Sequence, residues 1–334
     1  MADDGGGDGD GGDGDKPNAL PSLQNLNLAR MRDNEHNTTV RDENNQLPEG
    51  FLCLDKHAIE KEIAERGISG PGCKSAIYLI RNAVEYDGLK KELKAMAEFM
   101  ETSVPVEMTQ YGKVKHRKQC TFGALYKGFG QSFTMDDSRL PSDVKTFVNR
   151  LYSGTVGLIA NNAAVIGVNT PERAKEIFTG VHCNFYRDGK ANVPAHQDDE
   201  PDLDPTMPIF SYTFLTEASE AGDDAQPRKF KIYRNKAPWQ PGVKSQKGDE
   251  VGSVFLGNGD LLIMAGEMQT YFWHEVPVTN NKIYNNTQRL NFTVRAFTME
   301  AVQKAKALAA KAEAAAAEAE AAAKAVAEVV PMED

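Results

Sequence analysis

The sequence predicts a mainly β protein with flanking helices, and three observations carry that prediction. From Val181 to Phe297, short runs of β-branched and aromatic residues are separated by Gly- and Pro-containing turns, the texture of a sandwich or barrel. Ahead of that region, residues 86–101 and 141–153 carry apolar side chains at helical spacing. The two ends differ from everything between them. Residues 1–16 are almost pure Gly and Asp, and after Thr298 the chain is nearly uninterrupted Ala, Glu and Lys. A chain of 334 residues has room for two domains or for one larger all-β unit.

Taken in order, residues 1–47 stay polar and rich in Gly, Asp, Asn and Arg. Such a composition buries too little apolar surface to offset ordering entropy, so this segment is expected to be a disordered tail. Residues 48–180 form an N-terminal extension that begins at Pro48-Glu-Gly-Phe. Helices are expected over 55–66 and 86–101, the second with Leu89, Leu93, Met96 and Phe99 along one face. A basic stretch follows, Tyr111-Gly112-Lys…Arg117-Lys118-Gln119, and then Tyr126, Phe129 and Phe133 among glycines. Clustered cations with interleaved rings suit a surface that grips phosphates and stacks bases. On spacing alone, a solvated loop beside core aromatics is the more economical reading. Residues 141–153 and 171–179 read as helices, the latter opened by Thr170-Pro171-Glu-Arg.

Strands are expected over 181–187, 208–216, 229–234, 252–256, 259–265, 270–276 and 289–297. Residues 181–299 thus form the core, and residues 300–334 a solvated helical tail of strong helix formers, a place for protein contacts. The net charge of −10 resides mostly in the ends: residues 1–16 contribute −5 and residues 300–334 contribute −3. The acidic total therefore says little about the core surface. The four cysteines form no C-x-x-C pair, which fits a reducing compartment and indicates neither a zinc site nor a disulfide framework. The N-terminus has no signal-peptide pattern, and the best apolar run, Gly154 to Val168, is broken by Asn161-Asn162. A soluble intracellular protein without a membrane segment is expected.

Chemistry concentrates in two places. In an extended strand, side chains two apart share a face, so His196 and Asp198 are placed to grip one ion, with His274 as a third ligand. Two imidazoles and a carboxylate with positions left open suit non-haem Fe(II). In Arg289-Leu-Asn291-Phe-Thr293-Val-Arg295, alternation puts Arg289, Asn291, Thr293 and Arg295 on one face and Leu290, Phe292 and Val294 on the other. Two arginines aimed into a barrel need a partner, and a dicarboxylate meets both through paired, charge-assisted hydrogen bonds. Asn184 and Tyr186 share a strand face and are placed to donate to the same ligand.

The stretch Gly112-Lys…Arg117-Lys118-Gln119-x-Thr121-x-Gly123, with Asn184-x-Tyr186, His196-x-Asp198-x-Glu200, Tyr271-Phe-Trp-His274-x-Val-Pro and Arg289-x-Asn291-x-Thr293-x-Arg295, resembles the AlkB family of Fe(II)- and 2-oxoglutarate-dependent dioxygenases. The resemblance covers about Gln110 to Phe297. It implies a double-stranded β-helix, or jelly roll, with an N-terminal substrate-binding extension. It implies that His196, Asp198 and His274 hold iron. Arg289 would bind the distal carboxylate of 2-oxoglutarate with Tyr186 and Asn291, and Arg295 and Asn184 would steady its metal-proximal end. Arg117 and Lys118 would contact nucleic acid, Glu200 would inspect the base, and one of Tyr126, Phe129 or Phe133 would stack on it. Trp273 would pack behind the iron ligand.

The implied activity is oxidative dealkylation of N-alkylated bases in DNA or RNA, consuming O2 and releasing aldehyde, succinate and CO2. The target base leaves the stack or starts single-stranded. Two alternatives stay open: an oxygenase of the same kind acting on protein or a small molecule, and a non-catalytic interaction protein on the same fold. The acidic run Leu215–Gln226 and the insertion Pro238–Glu250 depart from the family pattern and bear on the substrate, not on the metal.

Overall fold

The computed structural model describes residues 76–108, 111–112, 114–123, 131–166, 168, 171–217, 227–237, 242–266, 268–280 and 287–307, with 310–311, 314–315 and 318–319 beyond them. The expected N-terminal tail, the 55–66 helix, Tyr126 and Phe129 lie outside the described residues, as does most of the acidic run.

The chain opens with β1 (Ala76–Ile80), a 3-10 turn over Asp87–Leu89 and α1 (Lys90–Thr102). Two strands follow, β2 (Arg117–Gly123) and β3 (Gln131–Phe133), and then the long helix α2 (Ser142–Ile166). After α3 (Ala174–Ile177) come eight strands: β4 (Gly180–Tyr186), β5 (Val193–His196), β6 (Ile209–Glu217), β7 (Arg228–Asn235), β8 (Lys247–Leu256), β9 (Asp260–Ala265), β10 (Phe272–Val276) and β11 (Thr287–Arg295). The short helix α4 (Met268–Tyr271) leads directly into β10.

These strands form two sheets, ordered β1-β9-β6-β11-β4-β2-β3 and β5-β10-β7-β8. Apart from the β7–β8 hairpin, successive strands from β4 to β11 alternate between the sheets, which is the double-stranded β-helix the sequence led us to expect. The N-terminal strands lengthen the larger sheet at both edges, β1 beside β9 and β2 beside β4. Strand β11 lies between β6 and β4 and pairs with both along its length.

Two apolar layers hold this arrangement. On the outer face of the larger sheet, Cys183, Phe185, Phe214, Leu290 and Phe292 pack against Val144, Phe147, Val148, Leu151, Leu158 and Ile159 of α2 and against Leu93, Met96 and Phe99 of α1. Phe147 meets Phe292 and Phe214 edge-on at 5.0 and 5.6 Å. A covering helix, not the second sheet, therefore takes the apolar face of β11, and its polar face points into the barrel. Thr155 falls within the same helical stripe; its hydroxyl bonds Leu151 O and the Tyr212 hydroxyl, both at 2.8 Å, so the polar intrusion is satisfied. Between the sheets, Phe230, Ile232, Val254, Leu262, Met264 and Phe272 close the end of the barrel nearest β9 and β10.

Several boundaries differ from expectation. The apolar run after residue 153 continues α2 to Ile166, and no helix among the described residues is long and apolar enough to cross a membrane. Strand β8 begins within the 238–250 insertion, at Lys247. The basic stretch at 117–123 is a strand, β2, whose central five residues are buried. After Thr298 a helix forms, with Val302 seated on Leu203 and Phe297; the described residues past 305 are exposed.

Candidate functional site

His196 ends β5 and His274 sits mid-way along β10, and the antiparallel register sets the two directly opposite each other. An irregularity between Val193 and His196 makes that pairing possible. The rings approach to 4.2 Å between centroids. Asp198 follows two residues on, with Oδ1 3.5 Å from His196 Nε2 and Oδ2 3.8 Å from His274 Nε2. Their ligand atoms lie within 4.8 Å of one another. His196 Nδ1 is 3.0 Å from the Pro194 carbonyl, which can only accept, so Nδ1 carries a proton and Nε2 is the nitrogen turned toward Asp198.

Electrostatics prepare this cluster for a cation. Burial opposes ionisation of Asp198, but the Arg295 guanidinium 2.7 Å from Oδ1, together with both imidazoles, holds its carboxyl far below the usual carboxylate range. Burial and then the neighbouring His196 push His274 down to about 3, against the pull of Asp198, so this imidazole is neutral. Asp198 Oδ2 is buried without a hydrogen-bond partner. Two imidazoles, that of His274 neutral, and a carboxylate oxygen left over match a divalent cation with open positions, Fe(II) among them.

From this cluster a cavity of about 240 Å³ runs along the polar face of β11. At its far end Arg289 is 2% exposed. Its Nη2 donates to Thr213 Oγ1 at 2.9 Å, while Nε and Nη1 are buried without a partner. Tyr186 lies under the guanidinium, 4.7 Å from the ring centroid. A buried guanidinium with donors left unmet is the complement of a carboxylate. The cavity thus offers a cation site at one end and a carboxylate site at the other, which fits 2-oxoglutarate.

The wall between these ends is a hydrogen-bonded lattice. Asn291 Nδ2 donates to Ser211 Oγ at 2.8 Å and to Tyr212 O at 2.9 Å; its Oδ1 accepts from Asn184 Nδ2 at 3.4 Å and from Thr293 at 3.3 Å. Asn184 Oδ1 in turn accepts from Arg117 Nη1 at 2.5 Å and from His182 Nε2 at 3.1 Å. Burial, then Arg295 and Arg117, keep His182 well below the ordinary histidine pKa, and hence neutral.

Of the residues singled out in the sequence, His196, Asp198, His274, Asn184, Tyr186, Arg289, Asn291, Arg295 and Arg117 all line this one cavity. Lys118 does not. It lies on the opposite face of β2, 4% exposed, with Nζ on Glu101 O at 2.5 Å. Phe133 is 2% exposed and packs against Phe99 and Phe122 in the outer core, so it has no face to offer a base. Phe129 falls outside the described residues. Glu200 is half-buried and is not part of the cavity lining. Trp273 is carried by β10 next to His274, with Nε1 donating to Asn235 Oδ1 at 3.0 Å.

Sequence reasoning passed over Phe230, which stacks on His274 at 5.5 Å, as well as His182 and Ser211. It also gave no separate weight to Tyr111. That ring is 80% exposed in the segment that leads into β2 and Arg117. Period-two alternation from Asn184 back to His182 was the available signal for the second histidine.

Comparison with known proteins places this geometry in context. Residues 77–295 match the family model described as the 2OG-Fe(II) oxygenase superfamily. Over 125 residues the chain is 34% identical to the mouse alpha-ketoglutarate-dependent dioxygenase alkB homolog 3, covering 37% of this chain and 38% of that protein. With the human DNA oxidative demethylase ALKBH2 it shares 24% identity over 233 residues, covering 69% of this chain and 76% of that one. The chain thus spans under two fifths of the length of the alkB homolog 3 relative it matches. Among solved structures, OsALKBH1 aligns at 16% identity with a TM-score of 0.40, covering 66% of this chain and 97% of that one.

Proposed function

Because the chain belongs to the 2OG-Fe(II) oxygenase superfamily, as an AlkB-like dioxygenase that uses Fe(II), 2-oxoglutarate and O2, we propose that it removes N-linked alkyl groups from bases of DNA or RNA. The observation that carries the oxygenase reading is one cavity with His196, Asp198 and His274 at one end and the unsatisfied donors of buried Arg289 at the other. Support for a nucleobase comes from relatives named DNA oxidative demethylase, which align with this chain over 120 and 233 residues. The Arg117 guanidinium at the cavity adds a cation there, and the exposed Tyr111 ring precedes β2 in the chain.

In this reading His196, Asp198 and His274 hold the iron. Arg289 takes the distal carboxylate of 2-oxoglutarate in a two-point clamp, with the Tyr186 ring beneath it. Arg295 fixes the orientation of Asp198, and Asn184 and Asn291 keep the wall polar where the co-substrate lies. When bound, iron and 2-oxoglutarate with O2 supply an oxidative decarboxylation to succinate and CO2, coupled to hydroxylation of the N-alkyl carbon. The hydroxyalkyl adduct then sheds an aldehyde and restores the base. A base inside a duplex must first leave the stack, at a cost of a few kcal/mol.

The deciding experiment offers the iron-loaded protein N1-methyladenine and N3-methylcytosine in single- and double-stranded DNA and RNA, with succinate and aldehyde measured together. Aldehyde release that depends on 2-oxoglutarate and disappears in His196→Ala is expected. Turnover of 2-oxoglutarate that ignores every methylated oligonucleotide would move the substrate to another class.

A further inference from the structure

Asp198 lies two residues beyond the end of β5, past the last pairing of the β5–β10 ladder, so its backbone N–H has no strand partner. That N–H donates to the side-chain Oε1 of Gln269 at 2.9 Å. The orientation of this amide follows from its neighbours: Nε2 donates to Met264 Sδ at 3.5 Å, and only the oxygen can meet an N–H. Gln269 sits in α4, which runs without a break into β10 and His274. The carboxylate loop and the second histidine strand therefore share one anchor.

Gln197, between the two predicted ligands, holds the same loop from its other side. Its Nε2 donates to Thr270 O at 3.2 Å and to Asn235 Oδ1 at 3.4 Å, and its Oε1 accepts from Ser245 Oγ. Asn235 Nδ2 bonds the same Thr270 carbonyl at 2.9 Å. Gln197, Asn235, Ser245 and Gln269 do not line the cavity. They brace the loop from behind, while Arg295 meets Oδ1 from within and leaves Oδ2 for a cation.

We infer that Gln269 is a positioning residue for the Asp198 carboxylate, and that Gln197, latched to Ser245, ties the metal loop to the connection between β7 and β8. The inference rests on His196, Asp198 and His274 being the metal site. A ligand carried past the end of its ladder has no backbone pairing to fix its reach, and outer hydrogen bonds of this kind typically contribute about 10–100-fold to metal affinity. The segment at Ser245 belongs to the insertion that departs from the family pattern, so that insertion acquires a role at the metal.

The test is a Co2+ titration of the full chain, followed by visible absorption, with Mn2+ as competitor. Gln269→Met keeps the side-chain length and removes the acceptor; Gln269→Glu restores an acceptor. We expect Gln269→Met to weaken Co2+ binding about 10–100-fold and to change the shape of the absorption band, and Gln269→Glu to return both toward native. Ser245→Ala, a change in a loop segment, should give a smaller loss in the same direction and serves if Gln269→Met does not fold. Native affinity and band shape in Gln269→Met, or in Ser245→Ala where it alone folds, would overturn the inference. If native protein and His196→Ala alike show no specific Co2+ site, the metal reading itself fails. If only His196→Ala loses the site and the brace variants match native, the positioning role alone fails.

Discussion

Replacing Arg289 with methionine separates binding from folding more cleanly than any other change in the cavity. The guanidinium is 2% exposed and donates from Nη2 to Thr213, while Nε and Nη1 have no hydrogen-bond partner. Burial lowers its pKa, with Tyr186 acting in the other direction. In the ligand-free protein this is an incompletely paired buried cation, and exchanging such a group for an apolar side chain of similar length is often neutral or stabilising. Arg289→Met should therefore melt no lower than native without ligand. Binding should respond differently. Each hydrogen bond to a charged partner contributes about 1.5–3 kcal/mol, so losing a two-point carboxylate clamp weakens 2-oxoglutarate by at least about a hundredfold. With Mn2+ present and 2-oxoglutarate at a hundred times the native Kd, urea unfolding should show native protein stabilised by about 2.7 kcal/mol. The variant should gain only about 0.4 kcal/mol. An undiminished gain in Arg289→Met would refute the carboxylate assignment. A ligand-free loss of several kcal/mol would show instead that the guanidinium is a structural element.

Further expectations follow from the same geometry. Asp198→Ala and His196→Ala should both abolish metal binding, yet only the first should cost about 3–5 kcal/mol of ligand-free stability. Asp198 is the buried partner of Arg295, whereas the His196 side chain is 35% exposed; equal urea midpoints for the two variants would contradict this. Stability of the metal-free protein should fall as pH drops from about 6.5 toward 3. The folded chain holds His274 down at about 3, so the unfolded chain binds a proton that the folded one refuses, at up to about 1.4 kcal/mol per pH unit. His182 is lowered in the same sense, so His182→Gln should flatten the slope; pH-independent unfolding between 7 and 4.5 would exclude the effect. Finally, Phe147→Ala should cost about 3–5 kcal/mol in urea unfolding, because it opens a void against Phe214 and Phe292 under β11. A loss under about 1 kcal/mol would mean that α2 can collapse onto the sheet.

Why one strand of this site was readable and another was not has a physical explanation. Strand β11 shows period-two alternation because its outer face, Leu290, Phe292 and Val294, is wholly apolar against the helices; the polar residues between them then stand out as a buried polar face. Strand β2 lines the same site with Arg117, but its outer face carries Lys118 beside Cys120 and Phe122. Lys118 lies buried along the sheet with its ammonium on the Glu101 carbonyl, a snorkelling arrangement that composition cannot distinguish from a solvated lysine. With polar residues on both faces, β2 reads as a basic loop. Strand β5 is short, contains Pro194 and has an irregular register, so it leaves no period at all, and only the His-x-Asp spacing marks the place. The brace behind Asp198 is less legible still, because Gln269 lies 71 residues from the N–H it accepts and its residue type is unremarkable on a surface turn. A strand that lines a polar cavity is thus found from sequence only where its other face stays apolar. The groups that aim its ligands are found only once the sheets bring distant segments together.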